Sequence, residues 1–176
     1  MSGVPDIPTH LINRPQSGGL VLPWITAQTR DGQYLFGMIT DLGQTRCLTE
    51  YRCQVCAQRL PDRAVLFARE SDLDARCTPE PATCPPCSRY SIRACPMLKG
   101  QMGHYRASVH PALAGIPVTA EQLLRQGTPA EPWYAVWVRG YNVITHPVRP
   151  DTLAASWQRI PPVRIRPLSP GLASSG

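Results

Sequence analysis

Cys53-Gln54-Val55-Cys56 and Cys84-Pro85-Pro86-Cys87, the latter running into Ser88-Arg89-Tyr90-Ser91-Ile92-Arg93-Ala94-Cys95, decide how this chain is read. Each CxxC turn can aim two thiolates from one tight loop at a single ion. Two such turns, 27 residues apart, supply the four ligands of a tetrahedral site. The expected metal is one structural zinc ion on Cys53, Cys56, Cys84 and Cys87. Around the first pair, Arg52 and Ala57-Gln58-Arg59 predict a knuckle, followed by the β-prone Ala64-Val65-Leu66-Phe67. The second pair leads into a helix of about two turns that Pro96 stops. A helix N-terminus suits thiolates, because its unpaired N–H groups and positive dipole end stabilise negative charge. Knuckle, hairpin and ligand-bearing helix are the parts of a treble clef. The expected fold is therefore α+β, a small irregular domain built around a treble-clef-like zinc site with additional short strands.

Three further cysteines, Cys47, Cys77 and Cys95, are possible substitute ligands; Cys95 reads first as a small buried apolar side chain on the same helix. Four thiolates and one Zn²⁺ leave a formal charge of −2. Arg52, Arg59, Arg89 and Arg93 flank the ligands and can offset it, or Arg89 and Arg93, four apart on one helical face, can meet a phosphate backbone.

A closed shell of sulfur leaves a metal no open position for catalysis. The four histidines, His10, His104, His110 and His146, all lie outside the segment 53–95, so nuclease chemistry of the kind carried on treble clefs lacks its histidines. An alternative reading is an enzyme of phage defence or specialised metabolism, working outside the zinc through His104, His110 and Tyr105 near Asp72 or Asp74. Another is an iron–sulfur regulatory protein, since Cys56, Cys84, Cys87 and Cys95 distantly resemble the WhiB-like set, although Cys87 and Cys95 stand further apart.

Outward from this segment, 20 prolines and 13 glycines in 176 residues break the chain into turns and make a metal staple a useful supplement. Residues 1–18 read as a flexible arm, 19–159 as a single zinc-containing domain with its site in 47–98, and 160–176 as a Pro/Arg-rich tail. Arg30-Asp31-Gly32-Gln33 between apolar stretches predicts a hairpin over 24–39. Asp41 is expected to cap a short helix carrying Leu42, Leu48 and Tyr51 towards the core. Thr119-Ala120-Glu121-Gln122 fits a capping box for a helix over 120–126, ended at Gly127. Trp133–Val138 and Tyr141–Thr145 read as strands, with Trp133 and Trp137 on one face; that face is core, or a platform for stacking bases. Asp151 is expected to open a brief helix through Trp157.

The net charge is +6. Residues 1–138 carry 13 basic and 11 acidic side chains, and residues 139–176 carry five Arg against Asp151. The basic excess thus concentrates near the C-terminus. Arg139, Arg164 and Arg166, with Arg89 and Arg93, are the candidate partner-binding residues. The partner is a protein or nucleic acid. MSGVPDIPTH has no basic start or apolar stretch, so no secretory signal or membrane span is expected, and the cytoplasm is the expected compartment. An odd number of cysteines there argues for metal over disulfides.

Gly19-Leu20-Val21-Leu22-Pro23-Trp24, Arg52-Cys53-Gln54-Val55-Cys56 and Cys87-Ser88-Arg89-Tyr90-Ser91-Ile92-Arg93-Ala94-Cys95-Pro96-Met97-Leu98 resemble a family of small uncharacterised zinc proteins from actinobacteria and phages. Trp137-Val138-Arg139-Gly140-Tyr141 is similar to that family's "W-V-x-x-Y" strand. The likeness covers about residues 19–145. It departs from the family at Ala57, where glycine is usual, and in the prolines of Cys84-Pro85-Pro86-Cys87. The resemblance implies metal binding.

Overall fold

Ala64-Val65-Leu66-Phe67-Ala68-Arg69 is buried at every position, as an apolar strand packed on both faces must be. The computed structural model describes residues 3–168. Its strands are β1 (Gln16–Ser17), β2 (Leu20–Val21), β3 (Thr26–Gln28), β4 (Tyr34–Ile39), β5 (Ala64–Arg69), β6 (Cys77–Thr78), β7 (Trp133–Val138), β8 (Asn142–His146), β9 (Arg149–Ser156) and β10 (Arg164–Pro167). The helices are α1 (Asp41–Thr49), α2 (Glu70–Ala75), α3 (Pro85–Ala94) and α4 (Ala120–Leu124), with 3₁₀ turns at Thr9–Leu11 and Pro111–Leu113. The fold is α+β.

β5 pairs antiparallel with β7, Leu66 opposite Val136, and β10 pairs with the other edge of β7. On one face of this sheet Leu66, Val136 and Val138 pack with Leu48, Tyr141, Ala155 and Trp157. That cluster joins it to the second three-stranded sheet, ordered β6-β9-β8. On the opposite face Val65, Phe67, Trp133 and Ala135 pack with Leu98 and partly buried Ile92, Cys95 and Trp137. Trp133 and Trp137 therefore serve as packing surface. β3 and β4 form the expected hairpin, with Gly32 in its turn at φ 91°. Thr119 caps α4 by accepting from the Gln122 N–H, and Gly127 follows at φ 68°.

Several expectations are corrected. Thr40, one residue earlier than expected, caps α1 by accepting from Gly43 N–H. Of the three side chains expected to point inward from that helix, Leu48 is buried but Leu42 and Tyr51 are exposed. Residues 149–156 are a strand, not a helix opened by Asp151. Pairing with β8 and β6 on both sides outweighs the local helix signal of Asp151 and Ala154-Ala155. The described part of the expected C-terminal tail contains β10, whose Arg164, Ile165 and Arg166 stand opposite Trp137, Val136 and Ala135; the rest lies outside the described residues. The N-terminal segment is likewise no free arm from residue 3 onward. Leu11 is 0% exposed, in one cluster with Cys53, Cys87, Val21 and Tyr90. Ile7 and Leu11 pack it there, and the pairing of β1 with β2 and the bond from Leu22 N–H to the Pro15 carbonyl hold the rest.

Candidate metal centre

The first CxxC sits in a tight turn whose backbone closes on itself. Cys53 N–H donates to the Gln58 carbonyl and Ala57 N–H to the Cys53 carbonyl, both at 2.8 Å. Ala57 adopts φ 64°, in the left-handed region that glycine enters at lower cost. Arg52 Nη1 donates to the Ala57 carbonyl at 3.1 Å and clips the turn from outside. The expected knuckle is present.

The second CxxC straddles a helix start. Cys84 is the N-cap of α3, Pro85 and Pro86 occupy its first turn, and Ser88 N–H makes the first helical bond to the Cys84 carbonyl. Pro is favoured there because its missing N–H would have had no helical partner. Both prolines therefore fit the helix they open. Two backbone contacts bring the turns together. Gln54 N–H donates to the Ala82 carbonyl at 3.0 Å, and Val65 and Thr83 exchange both of their backbone bonds. The Val65–Thr83 bridge is the remnant of the expected hairpin: β5 finds its main partner in β7, where Arg69 stands opposite Trp133 and Ala64 opposite Val138.

Cys56, Cys84, Cys87 and His10 present ligand atoms that all lie within 4.8 Å of one another. Cys56 and Cys84 Sγ are 4.0 Å apart, near the roughly 3.8 Å edge of a tetrahedron with Zn–S bonds of about 2.3 Å. Cys53, 0% exposed, packs in one cluster with Cys56, Cys84 and Cys87 but is not among the four residues whose ligand atoms converge, where His10 stands instead. The cluster divides its protons unequally. Hydrogen bonds from Cys53, and from the other sulfurs, push the Cys56 thiol pKa down, and a hydrogen bond from Cys53 lowers that of Cys84. The Cys53 pKa is raised by Cys56 and Cys84 against the opposing effect of Cys87, and that of Cys87 is raised by all three other sulfurs. A divalent cation is the species that lets all four release their protons at once. This Cys/His cluster can hold a metal ion.

His10 was not foreseen as a neighbour of the site. Its Nε2 lies 3.2 Å from Cys87 Sγ, carried there by the Thr9–Leu11 turn. Its separation from the cysteine pairs matches no ligand spacing; the only signal was the apolar pair Ile7 and Leu11 flanking it.

The possible substitutes stand apart from the cluster. Burial pushes the Cys47 thiol up to about 12 and the Cys77 thiol up to about 11, keeping both protonated. Cys95, eight residues beyond Cys87 and so about 12 Å further along a helix, packs with the Phe67 and Trp133 cluster. The four-cysteine set of the iron–sulfur alternative is therefore not assembled. Arg89, Arg93, Arg139, Arg164 and Arg166 are all exposed. The residues named for an enzyme do not converge. His104, His110 and Asp74 are exposed, whereas Asp72 is buried and Tyr105 accepts a bond from Arg69 Nε at 3.1 Å.

A second buried polar assembly lies beyond α3. Arg69, 4% exposed, pairs with Asp72 at 3.4 Å, Glu80 at 2.9 Å and Glu121 at 3.4 Å. Arg125 pairs with Glu121 and Glu131, and Arg149 with Glu121. Burial would raise the Glu121 pKa, but Arg69, Arg125 and Arg149 together hold it below the usual carboxylate range. Asp72 and Glu80 go the other way, raised by burial.

No family model, curated protein or solved structure matches the chain. No helix among the described residues is long and apolar enough to cross a membrane.

Proposed function

We propose that this protein is a non-catalytic binding module stabilised by one structural Zn²⁺, with Cys53, Cys56, Cys84 and Cys87 as ligands. The convergence of sulfurs from the two CxxC turns carries this reading. Four donors, the sulfurs of Cys56, Cys84 and Cys87 with His10, lie within 4.8 Å of one another, and Cys53, buried in the same cluster as these sulfurs, is assigned as the fourth sulfur. Both turns supply their pairs from a rigid loop or helix start, so His10 is assigned to the outside, donating Nε2–H to Cys87 Sγ and offsetting thiolate charge. A shell closed by four cysteines leaves no position for water or substrate, which favours a fold-holding role. Seven cysteines free of disulfides suit a reducing compartment such as the cytoplasm.

A protein partner with an acidic surface fits the exposed chemistry best. On β10 and just before it, Val163 and Ile165 are 50% and 45% exposed and are interleaved with Arg164 and Arg166. Apolar and cationic groups side by side suit a protein interface with a charged rim. The net charge of +6 keeps nucleic acid as the second reading. Metal analysis after gel filtration tests the core of the proposal: one equivalent of zinc in the wild type and in His10→Ala, and none in Cys84→Ser. Binding of DNA or RNA that weakens steeply with salt selects the second reading, and its absence removes it.

A further inference from the structure

Residues from β4, from the C-terminal part of α3 and from the segment 102–109 close round a cavity of about 310 Å³. That volume lies at the lower end of the range for small-molecule sites. The walls that solvent reaches are mainly apolar. Phe36 and Ile39 come from β4, Met97 from just after α3, and Met102 and Val109 from the segment beyond it; each is partly buried or exposed. Three of the chain's four methionines, Met38, Met97 and Met102, line the cavity. A flexible thioether adapts its shape to what it packs against, which suits a wall that receives a ligand.

Charge decides what the ligand carries and where. Five charged side chains line the cavity: Arg69, Glu80, Arg106, Glu121 and Arg125. Four of them are tied to one another, Arg69 to Glu80 and Glu121, and Arg125 to Glu121, with side chains at most 18% exposed. With Asp72, Glu131 and Arg149, their buried network holds three guanidinium and four carboxyl groups. The interior therefore offers no positive excess. Arg106 differs in both respects: it is exposed, and it makes no ion pair among the described residues. Its Nη2 donates to the Phe36 carbonyl at 2.9 Å, and its Nε stands 3.8 Å from where a side chain on Gly37 would begin. The backbone of β4 thus holds this guanidinium at the rim. A neutral carbonyl takes one of its five N–H donors and none of its charge.

We propose that this cavity binds a small amphipathic carboxylic acid, its hydrocarbon chain between the apolar walls and its carboxylate at the rim on the Arg106 guanidinium. This goes beyond the metal-module reading and shares only α3 with it: the proposed zinc ligands open that helix, and the cavity lies along its far end.

Octanoate, 1-octanol and octylammonium share one chain and present an anion, a neutral group and a cation. Each is titrated into the full zinc-loaded chain. Calorimetry gives the affinity, and the methyl resonances of Met97 and Met102, assigned by single Met→Leu variants, report where the chain lies. Octanoate is expected to bind saturably at one site and to shift both resonances. 1-Octanol should bind about fivefold more weakly, the most that an exposed ion pair contributes, and octylammonium weakest of all. In Arg106→Gln octanoate should lose that advantage while 1-octanol keeps its affinity. Raising the salt to about 0.5 M should reduce the advantage in the wild type by screening. The proposal is overturned by no saturable octanoate binding, by unmoved methionine resonances, or by octanol or octylammonium binding as tightly as octanoate. A preference for octanoate that survives in Arg106→Gln overturns it too. The wild-type panel decides even if that variant does not fold.

Discussion

Individual side chains carry unequal shares of the centre. Replacing any of Cys53, Cys56, Cys84 or Cys87 by Ser is expected to abolish stoichiometric zinc. Cys47→Ser and Cys77→Ser should keep one equivalent, because those thiols sit in apolar surroundings that hold them protonated. Elemental analysis of the purified variants checks both halves. Ala57 offers a gain: at φ 64° an alanine is strained by about 1 kcal/mol, so Ala57→Gly should raise urea stability by about that amount. Glu121 meets three guanidinium groups while buried, and Glu121→Gln should cost about 3 kcal/mol at neutral pH. Because its folded pKa is depressed, its stabilisation is complete above the unfolded value and is lost as pH falls through the folded one. The gap between wild type and Glu121→Gln in urea midpoints should therefore narrow below about pH 4. Asp72 and Glu80, with raised pKa values, have the opposite sign: protonation in acid relieves the cost of their burial.

Among the elements, the N-terminal segment is the one whose weight in the fold was hidden. Leu11 fills the space against Cys53 and Cys87, so Leu11→Ala should cost about 3 kcal/mol and speed transfer of zinc to a chelator, followed by absorbance of the chelator complex. The sequence of residues 3–18, rich in Pro, Ser and Gly, has no period from which docking is readable. It is held by two apolar side chains, Ile7 and Leu11, by the long-range polar contact of His10 with Cys87 and by the pairing of β1 with β2. Where local signals agreed with tertiary packing, the elements were legible: the Cys84 start of α3, the Thr119 cap, and β7 at its observed bounds. β9 reads locally as a helix opened by Asp151, while its strand state is imposed by neighbours from residues 77–78 and 142–146. β10 carries one apolar side chain between two arginines, and only the register with β7 reveals it. Of the cluster, Cys56, Cys84 and Cys87 are legible from spacing alone. His10 and the Arg69 network depend on long-range approach and leave no local pattern.

At the scale of the whole molecule, the metal cluster and the sheet core are linked through short contacts: Gln54 to Ala82, Val65 to Thr83, and Val21 N–H to the Tyr90 hydroxyl at 2.9 Å. With 20 prolines and strands of two to eight residues, the body has few long ladders to fall back on. Chelation of zinc should therefore loosen the full described region together, seen as a single loss of near-ultraviolet dichroism. The most direct measurement is X-ray absorption at the zinc edge of the purified full chain. The proposed site of four cysteines predicts one equivalent of zinc with four sulfur neighbours at about 2.3 Å, unchanged in His10→Ala. A shell dominated by nitrogen or oxygen, or protein that folds with no stoichiometric metal, would contradict it.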